Sequence, residues 1–253
     1  MAFHSERRGE VLLLTIDRPE ARNSLDSEVL DGIGGGMAEA DTDPSIRAVV
    51  LTAVGDRAFC AGMDLAGFSR GDRSPATRMA DFMRWQRYGI SKPVIAAVNG
   101  PAVAGGFELV LACDLVVSAD HAFFGLPEVK RGLLPAGGGF LLGRRLSRAL
   151  AMELCVVGAN LDAKRAYEVG LVNRVVPGAE VLDESLKLAE AIVANAPLSV
   201  TAIQRLVRNA PNQSLEEAWQ SLDDVRESVF SSEDAKEGAR AFIEKRPARW
   251  QGK

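Results

Sequence analysis

Short runs of consecutive apolar residues recur through the first three quarters of the chain and predict buried β-strands. The runs cover residues 11–16, 47–52, 93–98, 115–118 and 171–176. Because the runs are continuous rather than alternating, both faces of each strand are expected to be buried, as in a sheet that is covered by helices.

Segments with helical spacing of apolar residues lie between these strands. They cover residues 23–40, 77–88, 105–112, 138–146 and 149–157. Residues 23–26 offer a helix cap, and three successive glycines at 34–36 are expected to weaken the helix that follows. A strand or strand pair followed by a helix, repeated without sequence identity, predicts an α/β fold or a spiral of ββα units.

The pattern changes near residue 195, beyond which only helical segments follow, at 198–209, 214–228 and 232–245. Ser214 followed three residues later by Glu217 is a capping-box pattern. Three helices of this size cannot bury their apolar faces alone, so we expect them to pack on the core or on another subunit. The chain therefore divides into a core at 1–195 and a helical C-terminal region at 196–253 that serves oligomerisation.

Net charge, cysteine content and apolar run length indicate the binding partners and the cellular compartment to be expected. A net charge of −4 gives no support to a nucleic-acid partner. The three cysteines are widely spaced without a CxxC motif, which favours a reducing compartment, and Cys113 and Cys155 are expected to be buried. The N-terminus shows no signal-peptide pattern, and no apolar run reaches the ~18 residues of a membrane helix. We therefore expect a cytoplasmic protein without a membrane partner.

Several kinds of catalytic site find little support in the residues. The chain has two histidines without ligand-spaced partners and no phosphate-binding loop, so neither a metal nor a nucleotide cofactor is expected. Residues 67–71 match the G-x-S-x-G nucleophile elbow around Ser69. The elbow requires a preceding strand and a following helix, and neither is predicted here, so a chance match is favoured over a serine hydrolase.

Two carboxylates remain as candidates for acid–base chemistry. Glu108 and Glu128 each lie beside a glycine-containing turn. A glycine turn that opens a helix also presents free backbone N–H groups, which suit a developing oxyanion. The two glutamates fall on different elements, so the residue pattern alone leaves open whether they meet or whether each is a solvated or capping carboxylate.

Four segments, taken together in their order and spacing, resemble the crotonase, or enoyl-CoA hydratase/isomerase, superfamily. They are residues 58–65, 92–100, 105–114 and 124–135. Weaker similarity at 17–25, 170–173 and 241–246 extends the resemblance to nearly the whole chain. The resemblance implies a crotonase-like spiral of ββα units with a helical C-terminal region that forms trimer contacts, as a homotrimer or a dimer of trimers.

The resemblance also implies the reaction and its residues. Members bind acyl-CoA thioesters, with no cofactor apart from the coenzyme A of the substrate. The backbone N–H groups of Met63 and Gly105 would form the oxyanion hole, and Glu108 and Glu128 would be catalytic. In these roles Glu128 exchanges the proton at the α-carbon and Glu108 activates a water. The remaining positions implied to bind substrate are Ala21, Arg22, Ala61, Asp64, Leu65, Gly105 and Pro127.

Retention of both glutamates favours an enoyl-CoA hydratase over a Δ-isomerase or another acyl-CoA enzyme of the family. A crotonase-fold protein that only binds acyl-CoA or RNA is the third reading. Leu65 stands where hydratases often carry a lysine, and Ala136 where they often carry glycine. Either Arg22, Arg70 or Arg73 replaces the missing lysine in contacts with coenzyme A, or these arginines are solvated surface residues, which is the more common case.

The length of the acyl chain is left open by the sequence. An apolar stripe in residues 67–88 either lines the acyl pocket or packs in the core. Its members are Phe68, Met79, Phe82, Met83 and Trp85.

Overall fold

A computed structural model of the chain describes residues 2–64 and 76–253. Two sheets form its centre. The strands are β1 (Phe3–Arg8), β2 (Val11–Ile16), β3 (Ala48–Ala53), β4 (Val94–Val98), β5 (Ala102–Val103), β6 (Leu115–Ala119), β7 (Phe123–Gly125), β8 (Asn160–Asp162) and β9 (Arg174–Val176).

The larger sheet has the strand order β1-β2-β3-β4-β6-β9. Only β1 and β2 are antiparallel, and every other neighbouring pair is parallel. The strands predicted at 11–16, 47–52, 93–98 and 115–118 are confirmed. The prediction for 171–176 was too long, because only β9 pairs with β6. Strand β1 was not predicted, since Phe3 is its only buried side chain and no apolar run marks it.

The smaller sheet has the order β5-β7-β8, with strands of two or three residues that no periodicity could reveal. Two single parallel pairings extend this layer, Leu25 with Met63 and Cys60 with Ala102. The chain thus passes repeatedly from the larger sheet through the smaller layer and into a helix. This path is the ββα spiral that the sequence predicted.

Helices cover the outer faces of the sheets. They are α1 (Ser27–Thr42), α2 (Met79–Tyr88), α3 (Gly105–Ala112), α4 (Arg148–Met152), α5 (Ala163–Glu168), α6 (Val181–Val193), α7 (Pro197–Asn209), α8 (Leu215–Phe230) and α9 (Glu233–Glu244). The expected weakness of α1 at its glycines is not seen, because the helix runs through them, with Gly36 packed closely on the side chain of Leu14.

Two helix predictions need correction. The segment 138–146 forms a shorter 3-10 helix at Gly139–Arg144, and α4 continues as a π-helix at Glu153–Val157. Helix α6 was not predicted, although it packs against the larger sheet through buried Val181 and Ala189.

The C-terminal region is helical, as predicted, and begins with α7. Ser214 and Glu217 form the expected capping box at the start of α8. Neither α7 nor α8 buries any side chain, and Trp219 is 61% exposed. The exposed large apolar residues of this region are Ile203, Val207, Leu215, Trp219, Phe230, Phe242 and Ile243. Among the described helices, no single one is long and apolar enough to cross a membrane; α6 and α7 with their flanking turns pass only as a pair bent by 111°.

Candidate active site

The pairing of two short strands brings the two glutamates together. β5 and β7 are parallel neighbours, and the Ala104 N–H donates to the Gly125 carbonyl at 2.8 Å where both strands end. Glu108 follows β5 in the first turn of α3, and Glu128 follows β7 in a 3-10 helix at Pro127–Arg131. Because the carboxyl ends of parallel strands lie at one edge of a sheet, both side chains reach the same cavity, of about 420 Å³.

Glu108 is fixed by backbone donors. It is 6% exposed, and its Oε1 accepts the Gly139 N–H at 2.8 Å. Its Oε2 lies against Gly137, where an added Cβ would stand 2.7 Å from that oxygen. Only a residue without a side chain therefore allows the carboxylate to occupy this position.

Glu128 is half-buried in the same cavity and is held less firmly. Its Oε2 is buried and has no hydrogen-bond partner among the described residues. A buried carboxylate oxygen without a partner is costly, so such a group is common at sites where a substrate or water completes the hydrogen bonding.

Burial raises the pKa of both glutamates above its ordinary value. For Glu108, the N–H groups of Gly139 and Gly137 oppose this rise in pKa, while the charge of Glu128 adds to it. For Glu128, its own backbone N–H and then the charge of Arg131 oppose the rise in pKa. Raised values bring the pair closer to neutral pH, where one group can carry a proton while the other is ionised.

Two backbone N–H groups adjoin the pair. Neither Met63 nor Gly105 donates its N–H to another described residue. Gly62 has a φ of 88°, and a Cβ there would lie 3.1 Å from the Gly105 nitrogen, so the two segments are in contact. Ala104, just before Gly105, has a left-handed φ of 53°, a strained conformation of the kind that is concentrated at functional sites. Met63 and Gly105 both line the cavity. Two free donors at one wall are the arrangement that stabilises an oxyanion.

Two further predicted substrate-binding residues, Ala61 and Pro127, also line this cavity. Leu65 lies outside the described residues, as does the nucleophile-elbow match at 67–71. Ala136, which replaces the glycine of many hydratases, lines the cavity as well.

Ala21, Arg22 and Asp64 are not among the described residues that line the cavity. Ala21 ends a 3-10 helix, and the exposed Arg22 follows it and accepts the Ala61 N–H with its carbonyl at 3.1 Å. Asp64 forms an ion pair with Arg18 at 3.2 Å. These residues adjoin the loop that carries Met63, and their contact with coenzyme A stays a prediction.

The apolar stripe of α2 both lines the cavity and packs in the core, the two roles that the sequence left open. Met79, Phe82 and Met83 line the cavity, whereas Trp85 is buried in the core, with its ring 6.0 Å from that of Phe82. Phe68 is outside the described residues. The lining of the cavity is thus largely apolar, as suits an acyl chain.

Two residues that the sequence analysis did not assign hold the loop before Met63. Buried Asn23 donates to the carbonyls of Val54 and Ala58, at 3.0 and 2.7 Å. Arg18, in the turn that follows β2, forms the ion pair with Asp64, which is next to Met63 in sequence. Both fall in the N-terminal segment of weaker family resemblance, which was the available signal for their role.

Cys155 was expected to be buried in the core, and that expectation was wrong. It is only half-buried, in the π-helix at Glu153–Val157, and its Sγ lies 3.7 Å from the Gly139 carbonyl. Burial and the charges of Glu128 and Glu108 raise the pKa of its thiol. The thiol is therefore close to the two glutamates and protonated at neutral pH. Within residues 2–64 and 76–253, no cluster of three or more His, Cys, Asp or Glu side chains could hold a metal.

A family model described as enoyl-CoA hydratase/isomerase matches residues 6–253. The chain belongs to this family. Among curated relatives, the carnitinyl-CoA dehydratase of Proteus mirabilis is 38% identical over 259 residues, covering 100% of this chain and 99% of the relative. Enoyl-CoA hydratase EchA19 of Mycobacterium tuberculosis is 40% identical over 258 residues, covering 98% of this chain and 96% of the relative.

Solved structures of family members share the fold. An enoyl-CoA hydratase from Mycobacterium tuberculosis H37Rv has a TM-score of 0.93 at 43% identity, covering 100% of this chain and 99% of that chain. A carnitinyl-CoA hydratase from Mycobacterium avium has a TM-score of 0.76 at 42% identity, with the same coverage. The crotonase fold predicted from the sequence is therefore confirmed.

Proposed function

We propose that the protein is an enoyl-CoA hydratase, which adds water across the 2,3 double bond of a trans-2-enoyl-CoA to give a 3-hydroxyacyl-CoA. One observation carries the proposal: two carboxylates of raised pKa and two free backbone N–H groups face the same apolar cavity. The names of the relatives, enoyl-CoA hydratase and carnitinyl-CoA dehydratase, agree with it. Coenzyme A enters as part of the substrate, and no separate cofactor is required.

The geometry suits addition of water through an enolate. The thioester oxygen accepts the N–H groups of Met63 and Gly105, which are in place before charge develops. Glu108 takes a proton from water as the water oxygen bonds to C3. The electrons of the double bond move to the thioester oxygen, and a proton from Glu128 then forms the new C–H bond at C2. The sum is one water added, with one proton moved from Glu128 to Glu108.

The second candidate is an enoyl-CoA Δ-isomerase, which needs a single base to move a proton between C2 and C4. The observation that favours hydration over it is the position of Glu108, which is fixed by Gly139 inside the cavity rather than turned to solvent. A protein that only binds acyl-CoA is distinguished by turnover of a short 2-enoyl-CoA.

Substitution of each glutamate by glutamine tests the assignment, because glutamine keeps the shape and loses the basic group. General acid–base groups contribute ~10²–10⁴-fold. Hydration should fall by about this factor in both Glu108→Gln and Glu128→Gln. The double variant should lose far less than the product, since both groups act on one reaction. Hydration at the wild-type rate by Glu108→Gln, with isomerisation lost only in Glu128→Gln, would favour the isomerase.

We further propose that the C-terminal helices form subunit contacts in a homotrimer or a dimer of trimers. The support is the row of large apolar side chains that α7, α8 and α9 leave exposed. Light scattering at micromolar concentration measures the mass, and a monomer would contradict this part of the proposal.

A further inference from the structure

A second cavity adjoins the one that holds the catalytic pair. It has a volume of about 270 Å³ and lies between the end of α2, the 3-10 helix at Gly139–Arg144 and the turn after α7. Its lining is basic, with four arginines and Glu108 as the only carboxylate among the described lining residues. The arginines are Arg87, Arg144, Arg145 and Arg208.

The four arginines differ in how many hydrogen bonds and ion pairs they already make within the protein. Arg208 is paired with Asp114 at 2.6 Å, and Arg145 donates to the Cys113 carbonyl at 3.3 Å. Among the described residues, Arg144 donates only to the Pro211 carbonyl, at 2.8 Å, and no carboxylate there offsets its charge. Arg87 has no hydrogen bond or ion pair with any described residue. Asp114 and Glu108 offset two of the four positive charges, and the cavity keeps a net positive charge at Arg87 and Arg144, which have no carboxylate partner among the described residues.

Three residues, Gln86, Glu108 and Gly137, line both cavities and thus form the partition between them. Gln86 continues the cavity-lining stripe of α2 by one helical turn beyond Phe82 and Met83. Its amide nitrogen lies against Gly137, 2.6 Å from where a Cβ would stand, and makes no hydrogen bond with a described residue. The Gln86 side chain can therefore change rotamer, or form a hydrogen bond with a substrate that extends past it, without breaking a hydrogen bond to a described residue.

We propose that the arginine-lined cavity receives the far end of the acyl chain and that the protein prefers acyl-CoA substrates whose chain ends in a carboxylate. The proposal rests on the proposed function, in which C3 of the substrate lies beside Glu108, so that later chain atoms meet the partition at Gln86. Arginine binds carboxylates through two parallel charge-assisted hydrogen bonds, which are stronger than neutral ones. A chain that ends in a quaternary ammonium group would instead be repelled by the net positive charge of the cavity.

Calorimetric binding of saturated acyl-CoA thioesters tests the preference without turnover. The thioesters are compared in pairs of equal acyl-chain length, roughly five to eight carbons, in which one member ends in a carboxylate and the other in a methyl group. At one length the carboxylate form should bind at least about tenfold more tightly to the wild type, the effect of one charge-assisted contact. The thioester that ends in a quaternary ammonium group should bind more weakly than both.

Arg87→Gln with Arg144→Gln should abolish that preference and leave binding of the methyl-ended thioester unchanged. These two arginines are chosen because Arg145 and Arg208 hold the part-buried Cys113 carbonyl and Asp114, whereas Arg144 makes one exposed bond and Arg87 makes none with a described residue. Arg148→Gln is the matched control, since Arg148 is exposed nearby and does not line the cavity. Intact methyl-ended binding in the double variant also shows that its site is folded.

The inference is overturned if the methyl-ended thioester binds as tightly as the carboxylate-ended one at every length, or if the preference survives the double substitution. Hydration of a four-carbon 2-enoyl-CoA separates this result from failure of the proposed function. Hydration without a carboxylate preference removes the inference alone. A carboxylate preference without hydration by the wild type removes the proposed hydratase reaction alone.

Discussion

The contact between Gly137 and Glu108 makes a single methyl group a sharp test of the site. In Gly137→Ala the new Cβ would lie 2.7 Å from Glu108 Oε2 and 2.6 Å from the Gln86 amide nitrogen. Optimal contacts of a carbon atom with its neighbours are at about 3.5–4.0 Å. The Gln86 side chain can turn away, because it has no hydrogen bond with a described residue to break. Glu108 is held by Gly139, so either its carboxylate or the Gly137 backbone must move.

The size of the effect follows from the distance. Restoring an ordinary contact requires a displacement of roughly 1 Å, and a misplacement of that size costs about 10²-fold in rate. We therefore expect kcat for hydration to fall about a hundredfold, which corresponds to a barrier higher by about 2.7 kcal/mol. Binding of a saturated acyl-CoA should change much less, because the oxyanion donors at Met63 and Gly105 are untouched.

The assay follows the loss of enoyl-thioester absorbance with a short 2-enoyl-CoA, beside a thermal unfolding curve for each variant. Gly143→Ala is the matched control, since an added Cβ at Gly143, in the 3-10 helix that follows Gly137, meets only Ala151 at 3.9 Å, an ordinary contact. Wild-type kcat in Gly137→Ala would refute the placement of Glu108. Recovery of the lost activity by adding Gln86→Ala would show that Gln86, rather than Glu108, was displaced.

Three further predictions concern the loop before the site and the titration of the pair. In Asn23→Ala, the loss of two buried donors leaves the carbonyls of Val54 and Ala58 unpaired, so denaturant unfolding should show a destabilisation of about 2 kcal/mol or more; an unchanged midpoint would contradict it. Met63→Leu keeps the N–H and should hold kcat within about tenfold, whereas a larger loss in a folded variant would assign a role to the side chain. In hydration Glu108 must be ionised and Glu128 protonated, so kcat/KM should fall at low pH as Glu108 gains a proton and at high pH as Glu128 loses one. Arg131→Gln removes a charge that lowers the pKa of Glu128 and should move the high-pH limb of the profile upward; a downward shift would contradict the assignment.

Four strands of the larger sheet, β2, β3, β4 and β6, could be predicted because they are buried on both faces, which produces continuous apolar runs. The smaller sheet could not, because β5, β7 and β8 are too short to carry a period and are held by pairings distant in sequence. Strand β1 was missed for the opposite reason, as it is long enough but exposed.

The same limit applied to the site. The pairing of β5 with β7 is what places Glu108 beside Glu128, so only the family resemblance could join the two residues in advance. No pattern predicted the arginine-lined cavity, because its residues come from α2, from the 3-10 helix at Gly139–Arg144 and from the turn after α7, and each arginine alone has the pattern of a solvated surface residue.

The unequal hydrogen bonding of the two glutamates favours the division of roles between them. Glu108 is the more deeply buried of the two. Because burial disfavours the charged form, burial alone would make Glu108 the protonated member of the pair. Its carboxylate, however, accepts N–H groups of Gly139 and Gly137, and such bonds stabilise the ionised form by about 1.5–3 kcal/mol each. The Glu128 carboxylate has its own backbone N–H as a donor, and its Oε2 has no partner among the described residues, so a proton on Oε2 loses no hydrogen bond. Burial remains the largest influence on the pKa of Glu108, so these bonds reduce the rise in its pKa without cancelling it. In the proposed reaction the donors suit Glu108 to act as the base and leave Glu128 as the acid, the arrangement that adds water in one direction and removes it in the other.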